Sequence, residues 1–127
     1  MKSYLLDTHA FLWWATNDDR MNVKTRRLLI DGQNVIYLSL CSAWEISLKQ
    51  EKLKDFVVGI LIKKLFSESQ FKILPIELNH IAGLNKLPKI HKDPFDRLLA
   101  SQAMSEELVL ITNDKKLAEY PIETIIC

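Results

Sequence analysis

The sequence predicts an α/β fold, a parallel sheet covered on both faces by helices. Three observations carry the prediction. Short runs of β-forming residues alternate with stretches of helical periodicity along the whole chain. The first strand, Ser3 to Asp7, is apolar on successive residues, as a strand buried on both faces must be. No repeat, low-complexity segment or linker rich in Pro, Gly or Ser interrupts the pattern, so residues 1–127 are expected to form a single domain.

The elements follow in order. Thr8 is a helix N-cap candidate, and the apolar spacing predicts a helix from Thr8 to Ala15 that ends at the turn cluster Asn17-Asp18-Asp19. A second helix is expected from Val23 to Asp31 with Gly32 just past its end, then the strand Val35–Leu38. Ser39 or Ser42 would cap the next helix, which carries Trp44, Glu45, Ile46, Leu48 and Leu53. A further helix is predicted from Phe56 to Phe66. Its residues Val57, Val58, Ile60, Leu61, Ile62 and Leu65 are apolar over so much of the helix girth that a partner surface is needed to cover them. Lys72 to Pro75 reads as a strand and Glu77 to Leu84 as a helix, with Gly83 near its end. Pro94 to Ser105 reads as a helix, Leu108 to Thr112 as a strand, Asn113 to Tyr120 as a short helix and Thr124 to Ile126 as a last strand.

Composition bounds the function. The chain of 127 residues is 48% hydrophobic and 26% charged, the balance of a soluble globular protein. At this length about two-thirds of the unfolded surface can be buried, so neither a disulfide nor a structural metal is required. No run approaches the ~20 apolar residues of a membrane span, and the N-terminus lacks a signal-peptide core, so a cytoplasmic protein is expected. Cys41 and Cys127 fit no zinc spacing and read as free thiols; a bridge between them is the less favoured alternative. A net charge of +1 does not mark a bulk nucleic-acid binder, so any contact with RNA or DNA must be local or metal-mediated. The run Lys49 to Lys54 is a solvated helix end that could also attract RNA.

The acidic residues carry the chemistry. In an open parallel sheet, ligands bind outside the carboxyl ends of the strands. Asp7 ends the first strand and Asp114 lies just past the strand Leu108–Thr112. Glu45 sits early in the helix after the second strand, and Asp96 in the first turn of the Pro94 helix, on a face shared with Leu99, Ala100 and Ala103. Asp93, just before Pro94, is a good N-cap. Each acid alone is most simply a cap. Four at one end of one sheet would repel, by about 4 kcal/mol for a pair 4 Å apart at an effective dielectric near 20. Such a cluster is tolerable when cations hold it together. A donor set of carboxylates with few histidines selects the hard ions Mg²⁺ or Mn²⁺, whose chemistry suits phosphodiester hydrolysis.

The stretches LLDTHAFLWW, SAWEISLK, HKDPFDRLLASQA and LVLITNDKKL together resemble the PIN-domain nucleases, and within them the VapC-like toxins of type II toxin–antitoxin pairs. The resemblance runs from about Ser3 to Ile126. It implies a three-layer α/β/α sandwich with a central parallel sheet, and an Mg²⁺- or Mn²⁺-dependent endoribonuclease acting on RNA such as tRNA or rRNA. It also implies a homodimer and a small antitoxin that docks a segment beside the acids. By position, Asp7, Glu45, Asp96 and Asp114 match the four acids of the family site, and Thr112 the polar residue before the last of them. Asp93 competes with Asp96 for the third place, and Asp96 is favoured by the Arg97-Leu98-Leu99-Ala100 that follows it.

Other residues have blander expectations. His9 is read as a structural residue of the first helical turn, His91 as a loop histidine, and no role is assigned to His80. Arg97 could pair with Asp96 or bind phosphate, with a structural pairing favoured; Ser42 is expected to cap or assist Glu45, and Trp44 to pack and hold Glu45. Of the adjacent Trp13 and Trp14, one can be core while the other reaches an interface. Two rivals remain: a catalytically silent binding module on the same fold, and a phosphatase on a doubly wound sheet. The phosphatase would need an acid two residues after Asp7, where His9 stands.

Overall fold

The structure, a computed structural model, describes residues 2–49 and 70–127. The predicted helix Phe56 to Phe66 and most of the basic run after Lys49 lie outside the described residues.

Five parallel strands form one sheet: β1 (Ser3–Leu6), β2 (Val35–Ser39), β3 (Lys72–Leu74), β4 (Val109–Thr112) and β5 (Thr124–Ile126). Their order is β3-β2-β1-β4-β5, so β1 is central. The described helices are α1 (Thr8–Ala15), α2 (Val23–Ile30), α3 (Leu40–Leu48), α4 (Leu78–Ala82) and α5 (Pro94–Ser105). Two 3₁₀ turns follow α4 and β4, at Gly83–Lys86 and Lys115–Glu119.

Alternation along each strand builds a core on either face of the sheet. Tyr4, Leu6, Ile36, Leu38, Val109 and Ile111 pack with Ala10 and Phe11 of α1 and Leu29 of α2. Leu5 and Leu110 turn to the other face and pack with Leu98, Leu99, Ala100 and Ala103 of α5. The result is the α/β/α sandwich that was expected. Cys127 belongs to the first core and Cys41 to the second, so the sheet separates them and both are free thiols.

The strand order fixes where a site can form. From β1 the chain steps outward to β2 and β3, then crosses to β4 on the other side. The topological switch therefore lies between the carboxyl ends of β1 and β4. The register pairs Leu6 with Ile111, and the Asp7 amide donates to the Ile111 carbonyl at 2.9 Å, which brings Asp7 beside Thr112.

Several element ends differ from expectation for local reasons. β1 stops at Leu6 because Asp7 itself is the N-cap of α1: its extended backbone leaves the strand while its carboxylate already accepts from the Ala10 amide. Thr8 is the first helical residue. Ser39, not Ser42, caps α3. α1 closes with Asn17 in the left-handed region (φ 55), and Asp18 and Asn17 amides return to the Trp13 and Trp14 carbonyls, a Schellman turn. Gly32 follows α2 without any such left-handed turn. The predicted helix Glu77 to Leu84 is one short helix that tightens into 3₁₀ at Gly83, and the stretch after Asn113 is 3₁₀ only.

Candidate metal centre

Each acid is delivered by a different device. Asp7 arrives at the end of the central strand, 2% exposed, with Oδ1 accepting from the Ala10 amide at 2.7 Å and Oδ2 from the Thr112 hydroxyl. Thr112 Oγ1 in turn accepts from the Asp114 amide at 3.0 Å, so one hydroxyl ties the two strand ends together. Asp114 caps the 3₁₀ turn after β4, accepting from Lys116 N at 2.9 Å. Asp96 occupies the third position of α5, whose start is set by Pro94 and by the Asp93 carboxylate, which accepts from the Phe95 and Asp96 amides at 2.8 and 3.3 Å. Asp93 therefore has the cap geometry its sequence suggested.

Asp7, Asp96 and Asp114 line one cleft of about 300 Å³, together with His9, Asn113 and Lys115. A larger cleft of about 440 Å³ opens elsewhere, walled in part by Glu77, Glu106 and Glu107, and the strand-end acids take no part in it. Glu45 is not in the cleft wall. It is buried on α3, whose first turn is tied to α1 by a hydrogen bond from Thr8 Oγ1 to Ser42 Oγ at 2.9 Å. Ser42 is thus a buried link between the helices. Glu45 Oε2 accepts from Lys49 Nζ at 2.5 Å, while its buried Oε1 has no hydrogen-bond partner among the described residues.

The electrostatics record crowding. Burial pushes the Asp7 carboxyl up to about 6, against the hydrogen bonds from Thr112 and Ala10, and the Glu45 charge adds to the rise. Burial, then the Asp93 charge, pushes Asp96 up to about 7, with further contributions from Asp7 and Glu45. Asp114 goes the other way. Partial burial opposes ionisation there, yet hydrogen bonds from His91 and the Lys116 amide hold it below the ordinary carboxylate range. Burial pushes the Cys41 thiol up to about 12 and the Cys127 thiol to about 11, which disfavours the thiolate at both.

Several side chains depart from expectation. His91 is no loop bystander: its Nε2 lies 2.7 Å from Asp114 Oδ2 and 3.2 Å from Asp96 Oδ2. A ligand atom of each of the three residues falls within 4.8 Å of the other two. The signal was in HKDPFD, where Pro94 fixes the helix start and so wraps residues 91–96 around one helix N-terminus. His9 is exposed on the cleft wall, not packed inside. His80 is fully buried and accepts from the Glu77 amide at 3.0 Å, which closes the N-terminus of α4. Arg97 turns away from Asp96 and donates to the carbonyls of Pro88 (3.0 Å) and Leu84 (3.1 Å). Trp44 is 53% exposed and meets Phe95 edge-on at 4.9 Å, so it is not core packing around Glu45. Trp14 stacks at a tilt on Phe71, and Trp13 lies half-buried under the Arg20 guanidinium.

Comparison with known proteins places this geometry. The sequence matches the PIN domain family over residues 4–123, and the chain belongs to that family. Among curated proteins, none matches the sequence. Solved structures share the fold at low identity. VapBC2 from Rickettsia felis, bound to a DNA fragment from its promoter, superposes with a TM-score of 0.78 at 19% identity, covering 98% of each chain. DNA-bound VapBC from Salmonella typhimurium gives 0.74 at 17% identity over 99% of this chain and 98% of that one. FitAcB from Neisseria gonorrhoeae gives 0.70 at 18% identity over 96% of each. Among the described residues, no helix is long and apolar enough to cross a membrane.

Proposed function

We propose that the chain is a divalent-metal-dependent endoribonuclease, the toxin of a toxin–antitoxin pair, working through Asp7, Glu45, Asp96 and Asp114. The observation that carries this reading is the convergence of Asp7, Asp96 and Asp114 on one cleft at the switch point of a PIN-family sheet. The donor set suits a hard divalent ion, Mg²⁺ or Mn²⁺: buried carboxylates, Asp7 and Asp96, raised first by burial and then by neighbouring charge, and, among the described residues, an orphaned buried oxygen on Glu45. When bound, such an ion would supply Lewis acidity for hydrolysis of a phosphodiester.

The chain's own groups do the rest. Thr112 and the Ala10 amide fix the Asp7 carboxylate, so its orientation is set before any substrate arrives. Thr112 is a positioning group in this reading, because its hydroxyl proton is already given to Asp7. Asp96 is favoured over Asp93 as the third acid because it lines the cleft while Asp93 is engaged as a cap. Lys115 and His9 stand on the cleft wall, where a phosphate would meet them.

RNA, with tRNA or rRNA among the options, is the substrate class, and residues 1–127 act as one nuclease domain, as a homodimer in the cytoplasm. An antitoxin partner is supported by the neighbours in VapBC complexes and by an apolar stripe on α3. Leu40, Trp44 and Leu48 recur every fourth residue and stand exposed. The test is direct. Purified protein should cleave single-stranded RNA in Mg²⁺ or Mn²⁺ and stop in EDTA, and Asp7→Asn should fold and lose most of its cleavage. Cleavage by Asp7→Asn at the parent rate would remove the assignment, and a parent that binds antitoxin yet never cleaves would favour the silent binding module.

A further inference from the structure

We propose that His91 is a positioning residue of the acidic site, a donor that clasps Asp114 through Nε2–H next to Asp96 and does not itself bind the cation. The inference rests on the preceding reading that these acids hold a divalent ion.

Distances alone suggest the opposite, since His91, Asp96 and Asp114 present three ligand atoms within 4.8 Å of one another. Hydrogen-bond directions decide between the two roles. The backbone amide of Asp93 donates to His91 Nδ1 at 3.1 Å. A neutral imidazole carries one N–H, so a lone pair at Nδ1 puts the proton on Nε2. That Nε2–H is donated to Asp114 Oδ2 (2.7 Å), and Asp96 Oδ2 lies 3.2 Å from the same nitrogen. Ligation through Nε2 would need the proton moved to Nδ1, where it would face the Asp93 N–H head-on.

The ring is held from behind. The His91 amide donates to the Tyr120 hydroxyl at 2.9 Å, and Tyr120 is 3% exposed. Arg97 Nη1 reaches the same hydroxyl at 3.5 Å and ties down the loop through the Pro88 and Leu84 carbonyls. Asp93 thus serves twice: its carboxylate starts α5 and its amide sets the imidazole tautomer. One donor bonded to Asp114, with the Asp96 oxygen 3.2 Å from the same nitrogen, holds the rim acid in place beside the start of α5. Partners that orient ligating carboxylates act on metal affinity in this way.

The experiment uses Mn²⁺ as the probe on the full chain. His91→Ala should weaken Mn²⁺ binding by roughly 10-fold or more, and His91→Gln, which keeps an N–H donor at similar reach, should recover most of that loss. Tyr120→Phe should fall between. The spin-echo spectrum of Mn²⁺ on the parent should show no directly coordinated imidazole nitrogen. Ring-nitrogen NMR of the metal-free protein should show His91 protonated at Nε2 and not at Nδ1. A coordinated-nitrogen signal that disappears in His91→Gln would make His91 a ligand and overturn the proposal, as would an Ala variant that binds Mn²⁺ like the parent. If the parent takes up no Mn²⁺, the nuclease reading fails. The NMR tautomer still judges His91, and a proton on Nδ1 refutes the clasp whether or not the variants fold.

Discussion

Asp7 and Asp114 face one cleft from adjacent strands, yet they are held in opposite electrostatic conditions. Asp7 forms the floor. Burial pushes its carboxyl up to about 6, and its two hydrogen bonds come from the Ala10 amide and the Thr112 hydroxyl. Asp114 forms the rim. It is half-buried, and hydrogen bonds from His91 and Lys116 N more than offset its partial burial and hold it low. The difference shows two ways of keeping a carboxylate in a crowded site: bury it and leave its charge under-compensated, or leave it near solvent and surround it with donors. The floor is the part with most to gain from a cation.

The largest effect should come from neutralising the floor. Asp7→Asn keeps a good N-cap for α1 and removes the buried charge. RNA cleavage should drop by roughly 10²–10³-fold, the scale of losing one preorganised charge-stabilising group. The metal-free variant should melt at or above the parent temperature. The same change made at the rim, Asp114→Asn, should instead lower metal-free stability, because it removes a favourably held charge. Equal stability changes in the two variants, measured by thermal melts in EDTA, would erase the distinction between floor and rim.

The pH dependence follows with its sign. A buried acid whose folded pKa is raised binds more protons folded than unfolded, so stability falls as pH rises through the window between the two values. For Asp7 that window runs from 3.8 to about 6, and for Asp96 from 3.8 to about 7. Asp114 is shifted down, so its contribution changes only at more acidic pH. Metal-free protein should therefore be more stable near pH 5 than near pH 7.5, with Asp7 alone contributing on the order of 1 kcal/mol of that difference. Saturating Mn²⁺ should flatten or reverse the slope. Urea melts at the two pH values, with EDTA and with Mn²⁺, check this; a metal-free protein that gains stability towards neutral pH would contradict the raised, buried carboxyls.

The hinge between floor and rim is Thr112, whose hydroxyl donates to Asp7 and accepts from the Asp114 amide. Thr112→Val keeps the shape and β-propensity and strips both bonds. The cost should be about 1–3 kcal/mol of stability, as for buried polar groups left unpaired, with Mn²⁺ affinity down roughly 10-fold. His91→Ala acts on the rim alone, so combining the two substitutions should be close to additive in Mn²⁺ affinity if floor and rim are separate devices. Strong coupling would mean that they form one network.

The floor was more legible in the sequence than the rim. An apolar run ending on Asp7, and a second ending at Thr112 before Asp114, are local patterns, and parallel pairing converts them into neighbours without further information. Five strands and the flanking helices were readable for the same reason, since strand and helix periods are local. The short 3₁₀ turns were not, because a single turn leaves no periodicity to detect. His91 was missed because its role depends on the Nδ1 contact with Asp93 and on Tyr120, 29 residues away. The partners of Arg97 were not legible for a similar cause: carbonyl acceptors at Leu84 and Pro88 leave no trace in side-chain chemistry.

The smallest effect tests whether Glu45 belongs to the floor. Its carboxylate is buried, with Oε1 unpartnered among the described residues and Oε2 held by Lys49 Nζ at 2.5 Å. The Lys49 side chain is 46% exposed, so solvent screens the pair and its contribution is modest, about 0.5–1 kcal/mol. Lys49→Met retains the aliphatic stem and leaves the Glu45 charge without a cation in metal-free protein, which should lower the melting temperature by a few degrees. If Glu45 faces the same ion as Asp7, Mn²⁺ then replaces the missing ammonium charge, and the Mn²⁺-induced rise in melting temperature should be larger in Lys49→Met than in the parent. A rise of equal size in both proteins would detach Glu45 from the cation site and leave the floor to Asp7 alone.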